Sequence, residues 1–152
     1  MENQKAIDAL NTLIEINNDR VEGYETASKE TEETDLKALF AQLALTSHDC
    51  NAELIEEVEQ LGGTPAEGTK ISGKFFRAWM DVKAALTGKD RKAILNSCEY
   101  GEDHAVNTYK DVLDNDAADL TEDQIDMISE QYDLIKSDHD VVKALRDSLV
   151  EA

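Results

Sequence analysis

The most constraining feature of this sequence is a set of four long stretches in which apolar residues recur at alternating steps of three and four. That spacing lines up side chains on one face of an α-helix, and no sustained apolar–polar alternation typical of strands competes with it. The chain has one proline, Pro65, and seven glycines, so long helices can run with few interruptions. The sequence therefore predicts an all-α fold.

Four long helices account for most of the residues. They are predicted over Gln4 to Lys29, Leu36 to Leu61, Asp90 to Asp114, and Thr121 to Val150. Two helical hairpins joined by one long connection have the connectivity of a ferritin-like four-helix bundle. We expect a single domain of this kind over residues 1–152.

The long connection between the two hairpins contains a shorter predicted helix, from Gly73 to Leu86. Its apolar face is aromatic, and we expect it to close one end of the bundle and to shield Trp79 from water. The alternative is that this face is a contact site for a partner. The residues concerned are Phe75, Phe76 and Trp79.

Helix ends are marked by residues with known capping preferences. Gly62 and Gly63 precede Pro65, which predicts a left-handed C-cap after the second helix. Thr121 and Gln124 have the spacing of a capping box at the start of the last helix. Thr34 or Asp35 is the expected N-cap of the second helix.

The chain is strongly acidic, with 34 acidic and 15 basic side chains and a formal net charge of −19. Nucleic acids and anionic membranes would be repelled, so we expect neither as a partner. No apolar run approaches the roughly 20 residues needed to span a membrane, and residues 1–20 contain no apolar leader segment. We expect a cytoplasmic protein whose two cysteines are reduced thiols.

Polar residues interrupt each apolar stripe near its middle, and in a bundle these depths coincide. One interpretation is a hydrogen-bonded layer, centred on Glu102, that fixes the helix register. Arg20, an inward-pointing His139 or a tyrosine would then pair with the carboxylate, and no cofactor is expected. The alternative is a single iron or zinc site. The candidate ligands of that site are Glu102, His139, Cys50 and Cys98.

Several segments are distinctive when taken together and in this order. They are 17–24, 61–65, 79–88 and 98–103, followed by Tyr109, His139-Asp140 and Leu145-Arg146-Asp147. This set resembles a bacterial family of ferritin-like four-helix-bundle proteins of unknown function, over nearly the whole chain. The resemblance implies a ferritin-like fold in the bacterial cytoplasm and no established reaction.

Di-iron members of the ferritin-like class carry Glu-x-x-His motifs, and this chain has none. The residues three positions before His48, His104 and His139 are Leu45, Gly101 and Lys136. We therefore expect a non-enzymatic bundle that acts by binding a protein partner or by self-association, with stress physiology as the setting suggested by analogy. The alternative function is a metal-binding or redox protein that uses the mid-bundle Glu, His and Cys layer.

Overall fold

The fold is built from four long α-helices, in a computed structural model that describes residues 2–67 and 91–150. These helices are α1 (Glu2–Glu30), α2 (Thr34–Gln60), α3 (Arg91–Asn115) and α4 (Glu122–Val150), with a short 3₁₀ helix at Ala117–Asp119. The described residues contain no strand. The all-α prediction is confirmed, and the helix ends differ from the predicted ones by only a few residues.

The helices pack as two hairpins, α1 with α2 and α3 with α4, and the hairpins meet through α1–α3 and α2–α4 contacts. Asn17 contacts Tyr109 while Arg20 contacts Glu102, so α1 and α3 run antiparallel. Since α1 is also antiparallel to α2 across a short loop, α2 and α3 are parallel. The end of α2 and the start of α3 therefore lie at opposite ends of the bundle.

The short helix predicted at 73–86 falls outside the described residues. So do its aromatic face and the predicted shielding of Trp79.

The core formed by the described helices consists of two apolar clusters at opposite ends of the bundle. One is built around Leu10, Leu54 and Ile128. The other is built around Phe40 and Leu95. The polar residues predicted near mid-helix lie between these clusters, so the two halves of the core are separated by a polar layer.

The predicted stripe of α2 is buried almost throughout, as expected from its spacing, and its last residue, Leu61, is partly buried just beyond the helix. The completely or nearly completely buried members are Leu36, Phe40, Leu43, Ser47, Cys50, Leu54 and Val58.

The apolar inward residues Ile128, Ile135 and Val142 of α4 are completely buried as their spacing predicts, but two inward positions differ from the prediction. Gln131 is 1 % exposed, whereas Tyr132, which the helical spacing places on the inward stripe, is only partly buried. Asp138, rather than His139, points towards Arg20. Thus His139 does not point into the core as predicted, because the partly buried polar Asp138 has a partner inside the bundle and takes that place.

Two of the three predicted helix-capping features are present in the structure. Thr121 and Gln124 form the capping box, in which each backbone N–H donates to the other side chain over 2.9 and 3.1 Å. Gly62 adopts the left-handed conformation at φ +82°. The N-cap of α2 is Glu33, however, and its side chain makes no capping hydrogen bond, so the prediction of Thr34 or Asp35 there was wrong.

Gly63 marks a close approach between the turn after α2 and the side chain of Ile7 on α1. A Cβ atom at Gly63 would lie 2.9 Å from both Cδ1 and Cγ2 of Ile7. We expect Gly63→Ala to lower the free energy of unfolding by about 1–3 kcal/mol, because the Ile7 side chain must move as a whole. Urea denaturation followed by circular dichroism measures this change. If Gly63→Ala is as destabilising in an Ile7→Ala background, which lacks all three clashing carbons, as in the wild type, the proposed steric cause is wrong.

Candidate functional site

The centre of the polar layer is a fully buried ion pair between Arg20 of α1 and Glu102 of α3. Arg20 Nε donates to Glu102 Oε2 over 2.8 Å, and Nη2 donates to Oε1 over 2.6 Å. Both side chains are 0 % exposed. A buried charge is tolerated only when it is paired and hydrogen-bonded, and this bidentate geometry supplies both. Arg20 therefore engages both carboxylate oxygens of Glu102.

The remaining donors of Arg20 reach the other two helices. Nη1 donates to Ser47 Oγ on α2 over 2.5 Å, and Nη2 lies 3.4 Å from Asp138 Oδ2 on α4. The guanidinium carbon lies 5.6 Å from the centre of the Tyr24 ring, a cation–π distance. One side chain thus links all four helices at a single level of the bundle.

The charges in this layer shift the pKa values of its members. Burial alone lowers the pKa of Arg20, but the charge and hydrogen bond of Glu102 outweigh it and raise that pKa above its usual value. Burial raises the pKa of Asp138, and the nearby Arg20 opposes this rise. Arg20 therefore carries its positive charge at every physiological pH, and Glu102 is its closest counter-ion.

A second hydrogen-bonded chain lies next to this ion pair. Asn17 Nδ2 donates to Tyr109 Oη over 2.7 Å, and the Tyr109 hydroxyl donates to Gln131 Oε1 over 2.7 Å. Gln131 Nε2 then donates to the carbonyl oxygen of Cys50 over 3.2 Å. Gln131 was missed by the sequence reasoning. Its only signal was its place three residues after Ile128 and four before Ile135, within a run of apolar residues.

The two thiols are buried and free. Burial raises the pKa of Cys50 to about 11. Burial, and then the charge of Glu102, raises the pKa of Cys98 as well. The thiolate is the form that binds metals and reacts with oxidants, so both groups are held in their unreactive form.

His139 lies at the partly buried edge between α3 and α4. Its Nε2 is 2.5 Å from Asp103 Oδ1, and its Nδ1 is 3.0 Å from Asp140 Oδ1. Within the described part of the chain, the one group of three metal-ligating side chains whose atoms lie within 4.8 Å of one another is Glu99, Asp103 and His139.

The structure thus does not bring the four predicted ligands together. Glu102 is paired with Arg20, and His139 is with Asp103. Cys50 and Cys98 lie in different core clusters.

The outward face of α4 carries a strip of exposed, uncharged residues at alternating steps of three and four. We call it the α4 strip, and Leu134 and Val141, which are 53 % and 48 % exposed, are its largest members. On the neighbouring α2, Gln42 is also exposed and uncharged, and its carbonyl oxygen accepts a hydrogen bond from Thr46 Oγ over 3.1 Å. The α4 strip consists of Leu134, Ser137, Val141, Ala144 and Ser148.

Comparison with known proteins gives a family but no activity. The model of a family described as a domain of unknown function (DUF2383) matches residues 5–115, and the chain belongs to this family. The matched range includes Arg20, Ser47 and Glu102, while α4 lies beyond it. No curated protein matched the chain. Among the described helices, none is both long and apolar enough to cross a membrane.

Proposed function

We propose that this member of the DUF2383 family is a non-enzymatic, ferritin-like bundle that acts by self-association through the α4 strip. The observation that carries the proposal is the exposure of Leu134 and Val141 on a strip whose five residues carry no charge, in a chain with a net charge of −19. The bacterial cytoplasm, and stress physiology within it, is the setting that the ferritin-like resemblance implies.

The interior supports a structural rather than a catalytic role for the polar layer. Arg20 engages both oxygens of Glu102, so this carboxylate is not free to act as a base. The raised pKa values of Cys50 and Cys98 keep both thiols protonated. A nucleophile or general base must instead be reachable and held near its working protonation state.

The spacing of the α4 strip suits a helix–helix contact. Positions at steps of three and four form the contact line of paired helices, and complete burial of one Leu or Val side chain contributes about 1.5–3 kcal/mol. Leu134 and Val141 are about half exposed, so each can contribute about half of that on association.

Charge favours a second copy of this chain as the occupant. Two molecules of net charge −19 repel each other over most of their surfaces, and the α4 strip is a region where they can approach without opposing carboxylates. A basic partner would instead be attracted to the acidic parts of the surface. The α4 strip carries no acidic side chain, so it is a poor site for such a partner. Added salt should therefore strengthen self-association by screening the repulsion.

Sedimentation equilibrium over a range of protein concentrations tests this proposal. We expect the apparent mass to rise above the 16.9 kDa of one chain as concentration increases. Val141→Glu should keep the protein monomeric, because it places a charge in the middle of the strip. Tyr100→Glu on α3 is the matched control, since Tyr100 is 46 % exposed and lies away from the strip, and it should associate like the wild type.

Two results would contradict the proposal. One is a wild-type protein that remains monomeric at every concentration and salt level. The other is an equal loss of association in Val141→Glu and Tyr100→Glu, which would indicate a general charge effect rather than a contact on the strip.

A further inference from the structure

A mixed cluster of one histidine and two carboxylates lies on the opposite side of α4 from the α4 strip. Glu99 and Asp103 are four residues apart on α3, so they share one helix face, and His139 of α4 packs against them. A carboxylate oxygen of each acid and a ring nitrogen of His139 all lie within 4.8 Å of one another. Glu99 is only 9 % exposed, which makes this cluster different from an array of solvated surface acids.

We infer that Glu99, Asp103 and His139 bind one divalent transition-metal ion, with Zn²⁺ as the best-fitting probe. Two carboxylate oxygens and one imidazole nitrogen form a three-ligand set of the kind that leaves a fourth position open to water. The site lies at the α3–α4 edge, outside the polar layer of Arg20 and Glu102, and does not depend on self-association.

The histidine is oriented for this role. Asp140 lies 3.0 Å from Nδ1 of His139, so when an ion replaces the proton between Nε2 and Asp103, the proton on Nδ1 can be donated to Asp140. Nε2 points towards Asp103. A carboxylate that holds the far nitrogen of a metal-binding histidine fixes its tautomer and ring orientation.

The distances need only small side-chain adjustments. Ligands about 2.0–2.2 Å from a tetrahedral ion are separated from one another by about 3.3 Å. The three atoms start within 4.8 Å of one another, and all belong to side chains on helices that already pack together. Rotamer changes of about 1 Å at the carboxylates would complete the geometry.

Arg146 competes with a metal ion for this site. Its guanidinium pairs with Glu99, and it also pairs with the neighbouring Asp147 over 2.8 Å. A metal ion and the Arg146 guanidinium are both positively charged and repel each other at the same carboxylate, so metal binding requires Arg146 to leave Glu99. Arg146 can then keep its ion pair with Asp147. The metal affinity therefore depends partly on the free energy of breaking the pair between Arg146 and Glu99.

Isothermal titration calorimetry with ZnCl₂ at neutral pH tests the site. We expect one ion per chain, and we expect His139→Ala and Asp103→Asn each to weaken binding at least about tenfold. His48→Ala is the matched control. His48 also contacts a carboxylate, that of Glu25, over 2.7 Å, but it belongs to no three-ligand group in the described residues. The His48→Ala variant should therefore bind Zn²⁺ with the affinity of the wild type. Circular dichroism confirms that each variant keeps its helices.

The competition with Arg146 gives a second, independent readout. Arg146→Gln should tighten Zn²⁺ binding several-fold more than Lys143→Gln, which removes the same charge from an exposed position on α4. Cobalt(II) bound in a four-coordinate site should give visible d–d absorption in the wild type, and His139→Ala should weaken or shift this absorption.

Three results would overturn the inference. They are the absence of stoichiometric Zn²⁺ binding, equal binding by the wild type and His139→Ala, and complete displacement of Zn²⁺ by a modest excess of Mg²⁺. Displacement by Mg²⁺ would indicate that the ion is held by acidic side chains alone, without the imidazole, because Mg²⁺ prefers oxygen ligands. If Arg146→Gln and Lys143→Gln change the Zn²⁺ affinity equally, Arg146 does not compete with the metal ion for Glu99.

Discussion

Glu102→Leu should lower the free energy of unfolding by about 3–5 kcal/mol, the largest loss we expect from a single substitution in this bundle. It leaves the guanidinium of Arg20, which is 0 % exposed, without its bidentate partner. Asp138 remains 3.4 Å away and limits the loss, because it is the one other carboxylate within ion-pair distance of Arg20 in the described structure. Urea denaturation followed by circular dichroism gives the free energy directly.

The double variant Arg20→Met with Glu102→Leu is the control for this prediction. It removes both charges and fills the space with apolar side chains, so we expect it to recover most of the stability lost by Glu102→Leu alone. A double variant as unstable as the single one would show that packing, rather than the orphaned charge, causes the loss. A neutral Glu102→Leu would mean that water reaches Arg20.

Most of the fold could be predicted because the spacing of apolar residues along a helix indicates which of its positions are buried. Phe40, Leu54 and Ile128 lie on long stripes of helical period, and all three are completely buried. The depth of the polar layer was also predictable, since Asn17 and Ser47 interrupt their stripes near the middle. Its central contact, Arg20 with Glu102, was among the partners considered because a buried carboxylate requires one.

The inward residues of α4 were harder to predict. Gln131 and Asp138 are polar, and a polar residue with a buried partner has the same sequence signature as one that faces solvent. Tyr132 and His139 were chosen instead, because an aromatic ring and an imidazole fit an apolar stripe better than an amide or a carboxylate. At each of these two turns the inward residue is the one before the predicted residue, while the apolar positions between them are buried as predicted. The hydrogen bonds from Tyr109 to Gln131 and from Arg20 to Asp138 accompany these inward positions.

The proposed metal ligands illustrate the same limit between helices. Glu99 and Asp103 share a face of α3 in any helical model, but nothing in the sequence places His139 of α4 opposite them. That pairing depends on how α3 and α4 are aligned along their length, which in turn follows from contacts such as Tyr109 with Gln131. A sequence shows which residues share one face of a helix more readily than it shows how two helices are aligned along their length.

Asp19 of α1 is a buried carboxyl whose ionisation should affect stability around neutral pH. It is 7 % exposed. Burial raises the pKa of its carboxyl from 3.8 to about 7, and the negative charges of Glu22 and Glu15 add to the rise. The folded protein therefore holds this carboxyl in an environment that disfavours its charged form. The cost appears only when Asp19 ionises, so it depends on pH.

The sign of that dependence follows from the two pKa values. Below about pH 4 the carboxyl is protonated in both the folded and the unfolded chain, and Asp19 costs nothing. As pH rises from 3.8 through about 7, the unfolded chain loses its proton first, and the folded state is progressively destabilised. Each pKa unit corresponds to about 1.4 kcal/mol, so the full effect above pH 7 is about 2–4 kcal/mol.

Asp19→Asn should remove this cost while keeping the shape of the side chain. We expect the variant to be more stable than the wild type above pH 7 by about 2–4 kcal/mol, and the advantage to vanish as pH falls towards 4. Urea denaturation of both proteins at a series of pH values measures the difference, in which the titration of other carboxyls, including Asp138, cancels. Glu22→Gln should have a smaller effect in the same direction, because it removes a neighbouring negative charge. If the advantage of Asp19→Asn is independent of pH, it comes from packing, and the carboxyl of Asp19 ionises as readily in the folded chain as in the unfolded one.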